Sequence, residues 1–110
     1  MEDLGVLFGS KVAAYVLLFI EAYGSGHGAR IAGTFGTPLN GVRRQLLKFE
    51  ASGILVSRLI GRTRLFEFNP RSLTAQNLQP FLEAELKNLP RDTYRHYFCQ
   101  RQRPRRTGKK

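Results

Sequence analysis

Hydrophobic positions change their period several times along this chain. Between residues 10 and 23 they occupy most faces of a helix, with Val12, Val16, Leu17 and Ile20 on one side and Tyr15, Phe19 and Tyr23 on another. A helix apolar nearly all round is buried on more than one side. In a small chain, one of those sides is expected to meet a partner subunit. Ser10 can cap this helix, because its hydroxyl can accept from the unbonded N–H groups of the first turn. The preceding MEDLGVLFG reads as a short apolar lead-in.

Glycines in GSGHG (Gly24–Gly28) end that helix, and ARIAGTF (Ala29–Phe35) predicts one short helix with Ile31, Ala32 and Phe35 facing inward. Gly36 breaks it. Thr37 is expected to cap the next helix and Pro38 to occupy its first position, where a missing N–H costs nothing. Leu39, Val42, Leu46 and Phe49 then recur at helical spacing, with Leu47 on the flank. This helix is expected to run to about Ser52, with Gly53 as its stop. Its polar face carries Asn40, Arg44 and Lys48 in one stripe, with Gly41, Arg43 and Gln45 beside it.

The period then falls to that of strands. ILVSRLI (Ile54–Ile60) and RLFEF (Arg64–Phe68) are rich in β-branched and aromatic residues, with Gly61–Thr63 as the turn and Asn69–Pro70 as the end of the hairpin. Arg58, Arg62 and Arg64 gather near its tip. A last helix is expected from Thr74 or Leu78 to Leu89, interrupted or opened near Pro80, with Leu78, Phe81, Leu82, Leu86 and Leu89 as its apolar stripe. Tyr94, Tyr97 and Phe98 are expected to pack a terminal segment onto the core.

Charge sharpens this outline. The 110 residues carry a formal net charge of +10. The first 36 residues hold Lys11 and Arg30 against Glu2, Asp3 and Glu21, so the excess lies elsewhere. It sits in residues 37–69 and in the final RQRPRRTGKK, which contains no acid. Such an imbalance favours a polyanion, nucleic acid before an anionic membrane. The run VAAYVLLFI (Val12–Ile20) is too short to span a bilayer and is closed by Glu21. The start carries acids rather than the basic lead of a secretory signal. Cys99 is the only cysteine, which fits a reducing compartment. The expectation is a cytoplasmic protein with no membrane contact.

The order helix, short helix, tight turn, helix, hairpin, helix is a helix-turn-helix arrangement followed by a β ribbon. The helix after the turn can enter a major groove, and its early turns offer Asn40, Arg43, Arg44 and Gln45 to base edges. Arginine can pair with guanine through two hydrogen bonds, and asparagine or glutamine with adenine. Lys48 lies further along, where it suits phosphate. Arg62 and Arg64 can reach backbone phosphates or the minor groove alongside.

From LFGSK (Leu7–Lys11) to FNP (Phe68–Pro70), the chain resembles a winged helix-turn-helix transcriptional regulator of the ArsR-like type. TPLNGVRRQLLKFEASGILVSR is similar to that family's recognition helix and first wing strand, and GRTRLFEFN to its wing. The resemblance implies an α+β winged helix-turn-helix fold: a three-helix core, a two-stranded β wing and a C-terminal helix. It also implies dimerisation through the first and last helices and binding to double-stranded DNA at an operator. By match, Thr37, Asn40, Gly41, Arg44, Gln45 and Lys48 fall on the recognition helix, and Arg62, Thr63 and Arg64 on the wing. Arg43 and Arg58 join them by charge and position. The organisation expected is a DNA-binding domain over residues 1–70, a helical dimerisation segment over 71–99, and a basic, disordered tail over 100–110.

Metal-sensing members of that family carry paired cysteines or clusters of histidine and carboxylate. Here ARIAGTF has none, Cys99 stands alone, and His27 and His96 are far apart, so no metal and no cofactor is expected. GSGHG resembles a phosphate loop, but such a loop follows a strand and this one follows a helix. It reads as a flexible connector. No Ser-His-Asp or Cys-His grouping is visible, and the chain is not expected to be an enzyme. The function expected is a dimeric, sequence-specific repressor. The alternative is a winged-helix protein-interaction module accompanying an enzyme or toxin partner, its basic faces docked on an acidic surface.

Overall fold

The computed structural model describes residues 1–100. It is an α+β arrangement of helices and one two-stranded antiparallel sheet. In chain order the elements are α1 (Glu2–Phe8), α2 (Lys11–Tyr23), α3 (Gly28–Phe35), α4 (Leu39–Ala51), β1 (Leu55–Ile60), β2 (Thr63–Phe68), α5 (Leu73–Lys87) and α6 (Arg91–Phe98).

α2 is the axis of the molecule. Ser10 Oγ accepts from the Ala13 N–H at 3.0 Å, as the cap position predicts. Gly24, with φ of 86°, closes the helix in the left-handed conformation that glycine adopts without steric cost. Seven residues of α2 are buried: Ala13, Ala14, Val16, Leu17, Leu18, Phe19 and Ile20. α1, α3, α4, α5, α6 and β2 all pack against it. These seven positions are therefore covered within one chain, while Val12, Tyr15 and Tyr23 remain half-buried.

The lead-in is itself helical. α1 begins with Glu2 and Asp3, two acids in its first turn, where the helix dipole favours negative charge. It buries Leu4 against α2 and leaves Val6 and Leu7 exposed.

Pro80 does not break α5, which runs unbroken from Leu73 to Lys87 with Ser72 as its cap. Pro80 and Gln76, whose carbonyl loses its N–H partner to the proline, both lie on the exposed side, where water can take up that carbonyl. Leu82 and Leu86 are buried, whereas Phe81 of the expected stripe is 38% exposed. Pro90 then separates α5 from α6, a helix the periodicity does not predict. Phe98 is buried and Tyr97 half-buried; Tyr94 stays partly exposed. The rings of Tyr15, Phe35 and Tyr97 stack in series, with centroids 4.3 Å and 5.0 Å apart, and tie α6 to α2 and α3. One cluster of buried residues takes in Leu82, Leu86 and Phe98 along with α2 and α4, so the C-terminal helices belong to the same core as the rest.

No single helix among the described residues is long and apolar enough to cross a membrane.

Candidate nucleic-acid interface

The two basic elements meet along one side of the molecule. α4 buries Val42, Leu46 and Phe49, which puts Asn40, Arg44 and Lys48 on the opposite, exposed face. Lys48 Nζ also lies over the Phe49 ring, 5.6 Å from its centroid. Gly41 is half-buried on one flank, with open space where a Cβ would project. Gln45 is less available than its position suggests. It is half-buried, and its Oε1 is shielded from solvent without a hydrogen-bond partner.

Thr37 does not cap α4. The helix starts at Leu39, Pro38 occupies the cap position with no side-chain acceptor, and Thr37 spends its N–H on the Ala32 carbonyl at 3.1 Å. The reason lies one residue earlier. Gly36, with φ of 64°, turns α3 off in the left-handed conformation, and the chain needs Thr37 and Pro38 to complete that turn. Pro38 therefore precedes the helix instead of opening it.

The hairpin pairs Leu55 with Phe68 and Ile60 with Thr63, leaving Gly61 and Arg62 as a two-residue turn. Gly61, with φ of 63°, supplies the positive φ that such a turn demands. Thr63 thus belongs to β2 rather than to the turn. The pleat puts Leu55, Ser57 and Leu59 on one face with Arg64, Phe66 and Phe68. Buried Leu55 and Phe66 anchor that face to the helices. Arg58 stands on the other face and pairs with Glu67 at 3.8 Å. Its charge is partly answered there.

GSGHG is not a slack connector. Gly26 bonds to β2 in both directions, its N–H to the Phe66 carbonyl at 3.0 Å and its carbonyl to the Phe66 N–H at 2.8 Å. A Cβ at Gly26 would stand 2.8 Å from the Phe19 ring, so no larger residue fits. His27 comes next and caps α3, its Nδ1 accepting from the Arg30 N–H at 3.4 Å. Burial first, and Arg30 second, push the His27 imidazole below its ordinary value, towards the neutral form that can accept this bond.

Between these parts lies a groove of about 450 Å³. It is lined by His27 and Gly28, by Leu39, Arg43, Leu46 and Leu47 of α4, and by Arg62, Thr63 and Arg64 of the hairpin. It holds three arginines and no carboxylate. The expected site residues therefore divide. Arg43, Arg62, Thr63 and Arg64 share this groove, while Asn40, Arg44 and Lys48 present the outer face of α4 next to it. Arg58 and Gln45 are turned to other duties.

Two contributors escape a reading by charge. Arg64 Nη1 donates to Ser57 Oγ at 3.0 Å, and the Ser57 hydroxyl donates to Glu50 of α4. A serine on the core-facing side of a strand was the available signal. His27, placed directly before a helix, was the signal for the cap. Among the described residues no group of three or more His, Cys, Asp and Glu side chains is arranged to hold a metal ion.

No protein-family model matches the chain, and none of the curated proteins or solved structures compared with it matches either.

Proposed function

We propose that the chain is a winged helix-turn-helix regulator that binds double-stranded DNA in a sequence-specific way and represses as a dimer. In this reading α3, the Gly36–Pro38 turn and α4 form the helix-turn-helix, and the hairpin is the wing. α4 enters the major groove and offers Asn40 and Arg44 to base edges. Lys48 and the arginines of the groove take backbone phosphates, which position the protein without reading sequence. One observation carries the proposal. The outward face of α4 and the carboxylate-free groove of Arg43, Arg62 and Arg64 lie side by side, on two elements fastened to one core.

The dimer of this reading uses surfaces other than α2. Val6 and Leu7 on α1, with Leu73 and Phe81 on α5, are exposed apolar side chains that such an interface can use. The test is selection of bound fragments from a random pool of duplex DNA. A regulator of this kind returns one near-palindromic motif, with half-sites set by its two-fold symmetry.

A protein-interaction module is the second reading, and one observation favours it. Leu47, Leu59 and Ile60 are each at least half exposed near the same arginines. An affinity pull-down that recovers one stoichiometric acidic protein, from a chain with no DNA preference, supports that reading over the first.

A further inference from the structure

The hairpin loses its cover towards its turn. Along β1, buried Leu55 gives way to half-buried and then exposed residues, and β2 runs the same course in reverse up to buried Phe66. Residues 58–64 are exposed without a break. Two of them are large and apolar: Leu59 is 61% and Ile60 53% exposed. Leu59 stands opposite Arg64 and Ile60 opposite Thr63, so neither has an apolar cross-strand partner.

A single exposed leucine is ordinary on a protein surface. This pair differs because its members are consecutive. Successive strand residues point to opposite faces. A flat surface laid on one face of the ribbon covers Leu59 or Ile60, never both; a slot that receives the tip covers both. Arginines frame that tip. Arg64 lies on the Leu59 face, Arg62 in the turn, and Arg58, partly answered by Glu67, on the Ile60 face. Arg62 and Arg64 border the carboxylate-free groove. The matching slot is therefore apolar within and anionic at its rim. Duplex DNA has that build, with stacked bases behind two rails of phosphate. An anionic bilayer shares the rim. Two half-exposed side chains, however, carry far less apolar surface than a single acyl chain, which itself binds a membrane only marginally.

The tip also has a stiff mount. Arg64, Ser57 and Glu50 tie both strands to α4, and Gly26 bonds to β2 at Phe66 in both directions. A ribbon so fastened can press into a base stack instead of folding away from it.

We propose that Leu59 and Ile60 form an apolar wedge that enters the minor groove beside α4, partly unstacks one base step and bends the duplex. This rests on the DNA-binding reading above and extends it: α4 takes the major groove, which leaves the hairpin the backbone and the adjoining minor groove. The thickness of the ribbon requires the distortion. With side chains on both faces it measures ~10 Å, against a minor groove ~6 Å wide. Apolar wedges that enter that groove kink the duplex by ~20–90°. The wedge makes no hydrogen bond to a base, and the arginines beside it stay on phosphates.

The test uses the full-length protein and the duplex that it selects, with the fluorescent base 2-aminopurine placed at one position at a time. This base brightens when it is unstacked. Bending is read in parallel by energy transfer between the duplex ends. The wild-type protein is expected to brighten one step in each half-site, on the hairpin side, and to bend the duplex by ~20–90°. Leu59→Thr combined with Ile60→Thr should abolish both signals while α4 still selects the same motif. Threonine keeps the strand preference and both positions are exposed, so the melting temperature should hold. If the pair does not fold, the two single exchanges are read in the same way. A bound duplex with no brightened step, or one that brightens equally with the exchanged protein, overturns the wedge and leaves the DNA-binding reading standing. So does a wild-type protein that leaves its duplex straight but sediments with phosphatidylserine vesicles through the same two residues. Failure of the wild-type protein to select any duplex removes both readings.

Discussion

Arg64 does not stand free at the hairpin; its guanidinium donates to Ser57 Oγ across the two strands at 3.0 Å. Ser57 passes the connection on to the Glu50 carboxylate, so a chain of hydrogen bonds joins β2, β1 and α4. The hairpin is thereby held at a set angle to the helix beside it. Ser57→Ala breaks both bonds and leaves Glu50 without its donor. The expected cost is about 0.5–1.5 kcal/mol in a urea melt. Affinity for selected and scrambled DNA should fall by similar factors, because the proposed reading puts the hairpin on the backbone rather than on bases. A loss confined to the selected sequence would assign Ser57 to base reading instead.

Arg44 lies on the outward face of α4, opposite buried Val42 and Leu46. Arg44→Ala should cost ~1–3 kcal/mol at one base position if it pairs with guanine through two hydrogen bonds, and selection should then tolerate any base there. Arg62→Ala, at the tip of the hairpin, should weaken every sequence alike and flatten the salt dependence by about 1 unit of slope. Equal losses on selected and random DNA for Arg44→Ala would remove it from base readout.

Gly41 separates stability from binding. It sits inside α4, and a Cβ there would meet no atom within 4 Å. Gly41→Ala should therefore stabilise the fold by about 0.5–1 kcal/mol, since glycine loses more backbone freedom than alanine in a helix. The same methyl group is added to the helix that the proposed reading puts in the major groove. A protein that melts later and binds DNA more weakly is the expected pair of results. Binding that improves along with stability would show that α4 does not approach the duplex on this flank.

His27 makes stability depend on pH. Burial, then Arg30, lowers its proton affinity in the folded chain below the ordinary 6.5. As pH falls through that value, the unfolded chain takes up a proton while the folded one remains neutral, and the unfolded state gains. The contribution of His27 is thus complete above about pH 6.5 and is lost as pH falls towards the lowered folded value. The melting temperature should drop between about pH 7.5 and 5.5. His27→Asn keeps an acceptor at the cap but cannot titrate, so its melting temperature should fall less over the same range. An identical pH profile in the two proteins would mean that other groups carry the effect.

The parts of this fold that could be read in the sequence are those with one clean period. α4 declares itself through Leu39, Val42, Leu46 and Phe49, and the hairpin through its β-branched and aromatic content on either side of Gly61. Failures occurred where a local rule met a competing one. Thr37 and Pro38 look like cap and first residue, but the left-handed closure at Gly36 claims both for the turn. Pro80 looks like a break, yet it lies on the wet side of α5, where the lost hydrogen bond is cheap. α1 and α6 are seven and eight residues long, too short to establish a period, and both owe their place to packing against α2 and α3. The site divides in the same way. The outward residues of α4 are given by helical spacing, whereas Ser57 and Glu50 act through bonds between neighbouring elements and His27 as a cap three residues before its donor, roles that charge does not signal. The basic tail expected from residue 100 is described only at Gln100, and residues 101–110 lie outside the described residues.

The central claim is that the face shared by α4 and the hairpin reads duplex DNA. The most direct measurement is selection from a random duplex pool, then affinities for the selected and a scrambled sequence across a salt series. The account predicts one near-palindromic motif bound ~10³-fold or more tightly than scrambled DNA, with a steep salt slope on both. No enriched motif, together with the same salt-sensitive affinity for every sequence, would contradict it and turn attention to an acidic protein partner.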